Sequence, residues 1–352
     1  MRLFAKLLVA FILCRSSVVF AQQFPQNEVY HGTSDASAGI ALSVDSFVVG
    51  SDESLHRPPG RTKGENVLFI YKTGQKAPFY TVDLEPALRS GEKNNEADIE
   101  AAARIGNRIF WITSHGHSSD GKPRPDRFRF FATDIDSKGK IALAGGKSPL
   151  PAYKGLLTDL AADKRYAKYG LDTLNRSQIA PKKGGVNIEG LAAAPNGRLL
   201  IGFRSPIIDG KALIAPLTDP NEVLERGAKA IFDEPIELDL GGLGIRDIVF
   251  WPKGKCFLVI AGPVGEEGSS RLYKWDGSVS AEGIATPQRL ENIDLSGLNP
   301  EAIVIYPNSD KIQILSDDGA KMIRTDKGKT VENKELPDAA RTFRSVWVES
   351  LL

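Results

Sequence analysis

One unit of hydrophobic patterning recurs five times along the chain. An acidic residue, or in one copy the small residue alanine, opens a short apolar run, a turn follows, and a second apolar run ends fifteen positions after the unit began. The bounding pairs are Ala38 and Glu53, Glu100 and His115, Glu189 and Arg204, Asp247 and Gly262, and Glu301 and Ser316. In the third copy Glu189 leads into residues 190–194, Pro195, Asn196 and Gly197 supply turn chemistry, and residues 199–203 run back. Apolar runs around such a turn predict a β-hairpin with its acid at the open end. A strand–turn–strand unit repeated at intervals of more than fifty residues predicts an all-β fold, a β-propeller.

Further strands are predicted after each hairpin: 67–71 and 79–82, 128–133, 212–217 and 236–240, 272–275, and 321–325. Four strands per blade is the propeller requirement. Residues 343–348 complete the last blade, and the segment around Val29 and Tyr30 is available to close the ring. The longest interval, between the second and third copies, contains residues 151–170 with helical spacing and charges on one side. The expectation is five four-stranded blades plus a small helical insertion there, the alternative being a degenerate sixth blade. Glu282, Gly283 and Ile284 imitate a copy start but stand only nineteen residues before Glu301, too close for a blade.

The N-terminal 21 residues have basic Arg2 and Lys6, an apolar stretch over 7–13, and Val19, Phe20 and Ala21 as a cleavage pattern. They read as a secretory signal, so a protein exported to the periplasm or beyond the cell is expected, with residues 22–352 as one propeller domain. Later segments fall short of the roughly 20 apolar residues a membrane helix needs, so no stable membrane insertion is expected. Beyond the signal Cys256 stands alone, which excludes an intramolecular disulfide. Lysine plus arginine number 45 against 44 for aspartate plus glutamate, so no global basic field recruits nucleic acid. The local basic runs 57–63 and 122–129 read as solvated loops, and a monomer is expected.

In an antiparallel hairpin the first residue of one strand lies beside the last of the other. With the first strand innermost, the hairpin ends therefore gather at one mouth of the channel. The predicted ring is Glu53 with Asp52, Glu100 with His115, Glu189 with Arg204, Asp247 with Arg246, and Glu301 with Asp317 and Asp318. Crowded carboxylates must recruit cations, protons or arginines. Three readings follow. In the first, a small polar or anionic ligand contacts Glu53, Arg246 and Asp317, either through a hard divalent ion such as calcium held by Glu100, Glu189, Asp247 and Glu301 or directly on Arg204, Arg246 and His115. Alternatively the metal activates water in a phosphoric-ester hydrolase or related esterase, with His115 as general acid or base and Arg204 clamping the substrate. In the third, acids and arginines pair only with each other and the protein is an interaction scaffold. No GxSxG motif is present.

Asn187 to Leu191 (NIEGL), Leu200 to Arg204 (LIGFR), Leu238 to Asp247 (LDLGGLGIRD), Asn299 to Ala302 (NPEA) and Leu315 to Gly319 (LSDDG) resemble a family of bacterial exported proteins known as a domain of unknown function. That resemblance implies a propeller and no particular reaction. The opening from Glu189 to Ala192 also resembles the esterase-like phytase propellers, which are associated with phosphate-ester hydrolysis. Carried residue by residue, this likeness touches Glu189, with Glu100 and Glu301 as weaker counterparts, while Ala38 and Asp247 depart from the pattern.

Overall fold

The computed structural model describes residues 27–56, 64–89, 96–265, 267–349 and 351; the predicted signal and the basic run 57–63 lie outside them. Strands such as Arg108–Thr113 and Phe130–Ile135 carry β-branched and aromatic side chains on both faces, and both faces are buried. This is the pattern of strands with a neighbouring sheet on each side rather than of a sheet with one face in water. The sheets that result are five blades arranged in chain order.

Blade 1 consists of Ala38–Ala41, Ser46–Gly50, Val67–Lys72 and Tyr80–Asp83; blade 2 of Ile99–Ile105, Arg108–Thr113, Phe130–Ile135 and Ile141–Leu143. Blade 3 contains Asn187–Ala193, Leu199–Ile208, Lys211–Leu217 and Ile236–Leu238. In blade 4 the strands are Gly244–Trp251, Cys256–Gly262, Arg271–Trp275 and Gln288–Arg289. Blade 5 joins Pro300–Ile305 and Ile312–Ser316 to Thr342–Val348 and, from the other end of the chain, Asn27–His31.

Ring closure thus falls to Asn27–His31, which runs antiparallel to Thr342–Val348 with Tyr30 opposite Phe343. Tyr30 stacks on Phe343 with centroids 5.1 Å apart and meets Phe47 and Tyr71 of blade 1 edge-on, each at 5.3 Å. The last blade is therefore bonded to both ends of the described chain and packed against the first.

The structure corrects three predicted details. Residues 321–325 do not enter a blade: Met322–Arg324 pairs with Thr330–Glu332 in a separate hairpin. Its side chains are mostly exposed, whereas Phe343, Val346 and Val348 are buried, so burial selects the later segment as the third strand of blade 5. The helical insertion reaches beyond 151–170, running through Leu156–Ala162, Lys164–Tyr169, Leu171–Arg176 and Pro181–Lys183. Its Leu156, Leu160, Tyr166 and Tyr169 pack with Phe130 and Phe203 in one cluster, so it is a buttress between blades 2 and 3 and not a sixth blade. Finally, Ile284–Ala285 has a structural part after all. It pairs in parallel with Glu237 and Leu238, covering the outer edge of blade 3 with chain from blade 4.

Asp247 belongs to this framework. Its Oδ1 accepts from the Ile248 N–H at 2.8 Å and its Oδ2 from the Ile303 N–H of blade 5 at 2.6 Å. One buried carboxylate thereby pins the innermost strands of two blades together. Asp247→Ala orphans two buried donors and is expected to lower unfolding free energy by about 2 kcal/mol or more. A urea midpoint shift at constant slope measures this; a shift below about 0.5 kcal/mol would remove Asp247 from the list of inter-blade ties.

Candidate functional site

The geometry of the channel mouth begins with a backbone irregularity. In four blades the pairing of the two inner strands is irregular at the same place, and the residues skipped on the first strand are Glu100, Glu189, Arg246 and Glu301; in blade 3 Arg204 of the second strand is skipped as well. A bulge of this kind leaves its residue out of the ladder and re-aims the side chain. All four side chains line one cavity of about 1170 Å³ at the open ends of the hairpins. Blade 1 has no such slip: Ala38 to Ala41 pair in register with Gly50 to Phe47. Its carboxylates come instead from Asp35, just before the first strand, and Asp52, just after the second.

The ring is electrostatically divided. On the side of blades 3 and 4, arginines answer the acids. Glu189 Oε1 accepts from Arg204 Nη1 at 2.8 Å and from Asn187 Nδ2 at 2.7 Å. Arg246 pairs with Glu301, and its Nε stands 3.6 Å from Glu189 Oε2. Burial raises the proton affinity of Glu189, but the two guanidinium groups outweigh it and hold the carboxyl below its ordinary value. Arg204 is fixed by the carbonyls of Pro263 at 2.9 Å and Gly265 at 3.2 Å. On blade 2, Arg127 pairs with Glu96 and, at 3.0 Å, with Asp98.

The seam between blades 1 and 5 has the opposite character. Carboxylate oxygens of Asp35, Asp52 and Asp317 lie within 4.8 Å of one another. Burial, then the neighbouring Asp317, pushes Asp35 up to about 8. Asp52 is raised well above its ordinary value, first by burial and then by Asp35, and its buried Oδ1 has no hydrogen-bond partner among the described residues. Asp317 is raised by burial, against the Gly319 N–H that donates to its Oδ1 at 2.7 Å. Backbone approach makes the cluster compact: a Cβ on Gly319 would stand 1.6 Å from Asp35 Oδ1, so only glycine fits there. Lys334 contributes one positive charge nearby, but to Glu53 at 3.0 Å. Asp318 is turned away onto Arg344 with contacts of 2.6 and 2.7 Å.

The predicted site residues therefore separate. Glu53, Glu100, Glu189, Arg204, Arg246, Glu301 and Asp317 do share the cavity. The predicted metal set of Glu100, Glu189, Asp247 and Glu301 does not form a cluster, because arginines engage Glu189 and Glu301 and Asp247 is turned to the backbone between blades. His115 does not line the cavity. Its Nδ1 is 2.8 Å from the Thr113 carbonyl, its ring meets Phe128 edge-on, and burial lowers its pKa to about 4, so it is neutral near pH 7. His117 faces the cavity instead, with Nε2 2.7 Å from the Asn175 carbonyl on the helical insertion and a buried Nδ1 that lacks a partner among the described residues. Asp35 escaped the sequence reading; its signal was an acid three residues before the one copy that opens on alanine.

The acids impose a sign on the pH dependence of stability. A carboxyl that binds its proton more tightly when folded supports the fold fully below about 4 and loses that contribution as pH rises through the folded value. For Asp35, at about 8, and Glu96, raised to about 7 by burial and then by Asp98, the loss falls between about pH 4 and about pH 8. In chelator, the thermal midpoint is expected to fall across that window, and to fall less steeply in Asp35→Asn. A midpoint that rises with pH would contradict the assignment.

Comparison with known proteins leaves the chemistry open. The family described as "Protein of unknown function (DUF3616)" matches residues 148–316. No curated protein matches the chain. Among solved structures, the PQQ-bound aldose sugar dehydrogenase of Streptomyces coelicolor is 13% identical, with 92% of this chain and 100% of that chain covered and a TM-score of 0.38. A 6-phosphogluconolactonase assignment from Bacteroides uniformis gives 12%, 85%, 70% and 0.37 in the same order, and the Cps50 (Swd1) propeller of Myceliophteria thermophila gives 9%, 92%, 100% and 0.40. Likenesses at this level carry no inference about activity. Residues 148–316, which run from the helical insertion through blades 3 and 4 into blade 5, thus match a protein family of unknown function, DUF3616, on a ring of five β-propeller blades.

Proposed function

We propose that the channel mouth binds a small polar or anionic ligand around a divalent cation held by Asp35, Asp52 and Asp317. The observation that carries this reading is the approach of three carboxylates within 4.8 Å, with one buried Asp52 oxygen unpartnered among the described residues. An all-oxygen donor set suits calcium or magnesium rather than zinc, whose sites draw on nitrogen and sulfur. Calcium takes 6–8 oxygens, so three carboxylates leave positions for water and for ligand oxygens. Across the cavity, Arg127 and Arg246 are engaged by acids but each keeps a buried Nε without a hydrogen-bond partner among the described residues, which supports a charge-assisted contact to an anionic group. The cation replaces the protons that the acids otherwise retain, and its affinity accordingly increases with pH.

The hydrolytic alternative has one specific observation in its favour. His117 lines the same cavity, and its Nε2–H is held by a backbone carbonyl, which leaves Nδ1 as the basic nitrogen. In this version His117 takes the role that the sequence suggested for His115.

Thermal unfolding in chelator, followed by titration with calcium, magnesium, manganese and zinc, tests the cation. A ligand selective for the native state adds about 2.7 kcal/mol at one hundred times its dissociation constant. Calcium or magnesium is expected to raise the midpoint of the wild type and to do so weakly or not at all in Asp52→Asn, while Glu189→Gln retains the response. Equal responses in wild type and Asp52→Asn would sink the proposal.

A further inference from the structure

The innermost strands run from the acidic mouth to the hairpin turns, and at the turn end they enclose a second cavity of about 770 Å³. Its walls are drawn from all five blades, and their character is the reverse of the first: Ile40, Val249, Phe250, Ile303, Ile305 and Tyr306 face it. Volumes of this size hold drug-sized ligands, and apolar walls with few polar groups are their usual lining.

Arg104, on the innermost strand of blade 2, is the exception in that lining. It is half-buried, and among the described residues no carboxylate pairs with it. Its Nε donates to the Gly106 carbonyl at 2.8 Å, and its Nη1 to the carbonyls of Ala41 and Leu42 at 3.1 and 3.4 Å. Carbonyls orient the guanidinium without neutralising it. The other two charged residues of the cavity, Lys253 and Asp310, pair with each other across the turns of blades 4 and 5, which leaves the charge of Arg104 unmatched. Burial lowers the Arg104 pKa from its ordinary value, the signature of a cation without a counter-charge.

We propose that this second cavity binds a small amphipathic anion, a carboxylate or sulfonate on an apolar body, with its head on Arg104 and its body against Ile303, Ile305 and Phe250. The head supplies the missing counter-charge, and desolvation makes that charge-assisted bond stronger than a surface pair. The apolar body adds binding in proportion to the area it removes from water. The site is independent of the acidic mouth, so the two proposals stand or fall separately.

The test uses the full chain and 1-anilinonaphthalene-8-sulfonate, an apolar fluorophore bearing a sulfonate, with octanoate and 1-octanol as competitors. The expected result is saturable binding of one probe per chain, displaced by octanoate at least tenfold more effectively than by octanol. Arg104→Gln is expected to weaken octanoate binding at least tenfold. Because Arg104 also ties blade 2 to blade 1, circular dichroism and the unfolding midpoint of that variant are measured alongside. Ile305→Trp, which narrows the apolar volume with a larger ring and leaves every Arg104 hydrogen bond intact, is expected to weaken probe binding and serves if Arg104→Gln does not fold. Absence of saturable binding, equal displacement by octanoate and octanol, or probe binding undiminished in Ile305→Trp would each overturn the proposal.

Discussion

Carboxylates buried together in a medium of low dielectric cannot all remain charged unless positive charge comes among them, and that constraint organises the acidic end of the ring. Two different answers occur within one cavity. Around blades 3 and 4 the neutralising groups are built in, with Arg204 on Glu189 and Arg246 between Glu189 and Glu301. At the seam of blades 1 and 5 the built-in cations are diverted, since Lys334 engages Glu53 and Arg344 engages Asp318, and burial makes the carboxyls of Asp35, Asp52 and Asp317 bind protons more tightly than usual. Paired acids are already stable as ions; acids that hold protons are ready to exchange them for something else.

The repeated bulge explains why so many charges arrive at one place. A strand in register alternates its side chains between the two faces of a blade, both of which are apolar packing surfaces in a propeller. One extra residue releases a single side chain from that alternation and points it to the channel. Glu100, Glu189, Arg246 and Glu301 all use this device, whereas Asp247, one position further along, returns to the ladder and is spent on backbone donors. The difference between a cavity residue and a structural clamp is one step in register.

That step also marks the limit of what the sequence discloses. Hairpins, turns and blade order were legible because apolar runs around Pro195 to Gly197 or Gly106 and Asn107 have a local physical cause. The acids at 100, 189 and 301 could be found from spacing alone. Spacing could not reveal that the fourth copy places an arginine in the bulge, because Asp247 keeps the same distance from its partner strand's end as the acids of other copies do. Asp35 was hidden for a different reason. It lies outside any hairpin and gains its meaning only by meeting Asp317, nearly the whole chain away, when the ring closes. Likewise the exchange of residues 321–325 for Thr342–Val348 in blade 5 depends on which segment finds a buried place.

Closure by Asn27–His31 has a mechanical meaning that follows from where the triad sits. Asp35 follows the closing strand by a few residues, and Asp317 follows the second strand of the blade being closed. The backbone confirms the join, with Asp318 N–H donating to the Ser34 carbonyl at 2.8 Å. The acidic cluster is therefore a clasp on the seam of the ring, assembled only when the two ends of the propeller have met. Tension applied to those ends first loads the pairing of Asn27–His31 with Thr342–Val348, and peeling the closing strand away runs from Asn27 to His31 and then reaches Asp35 and the cluster.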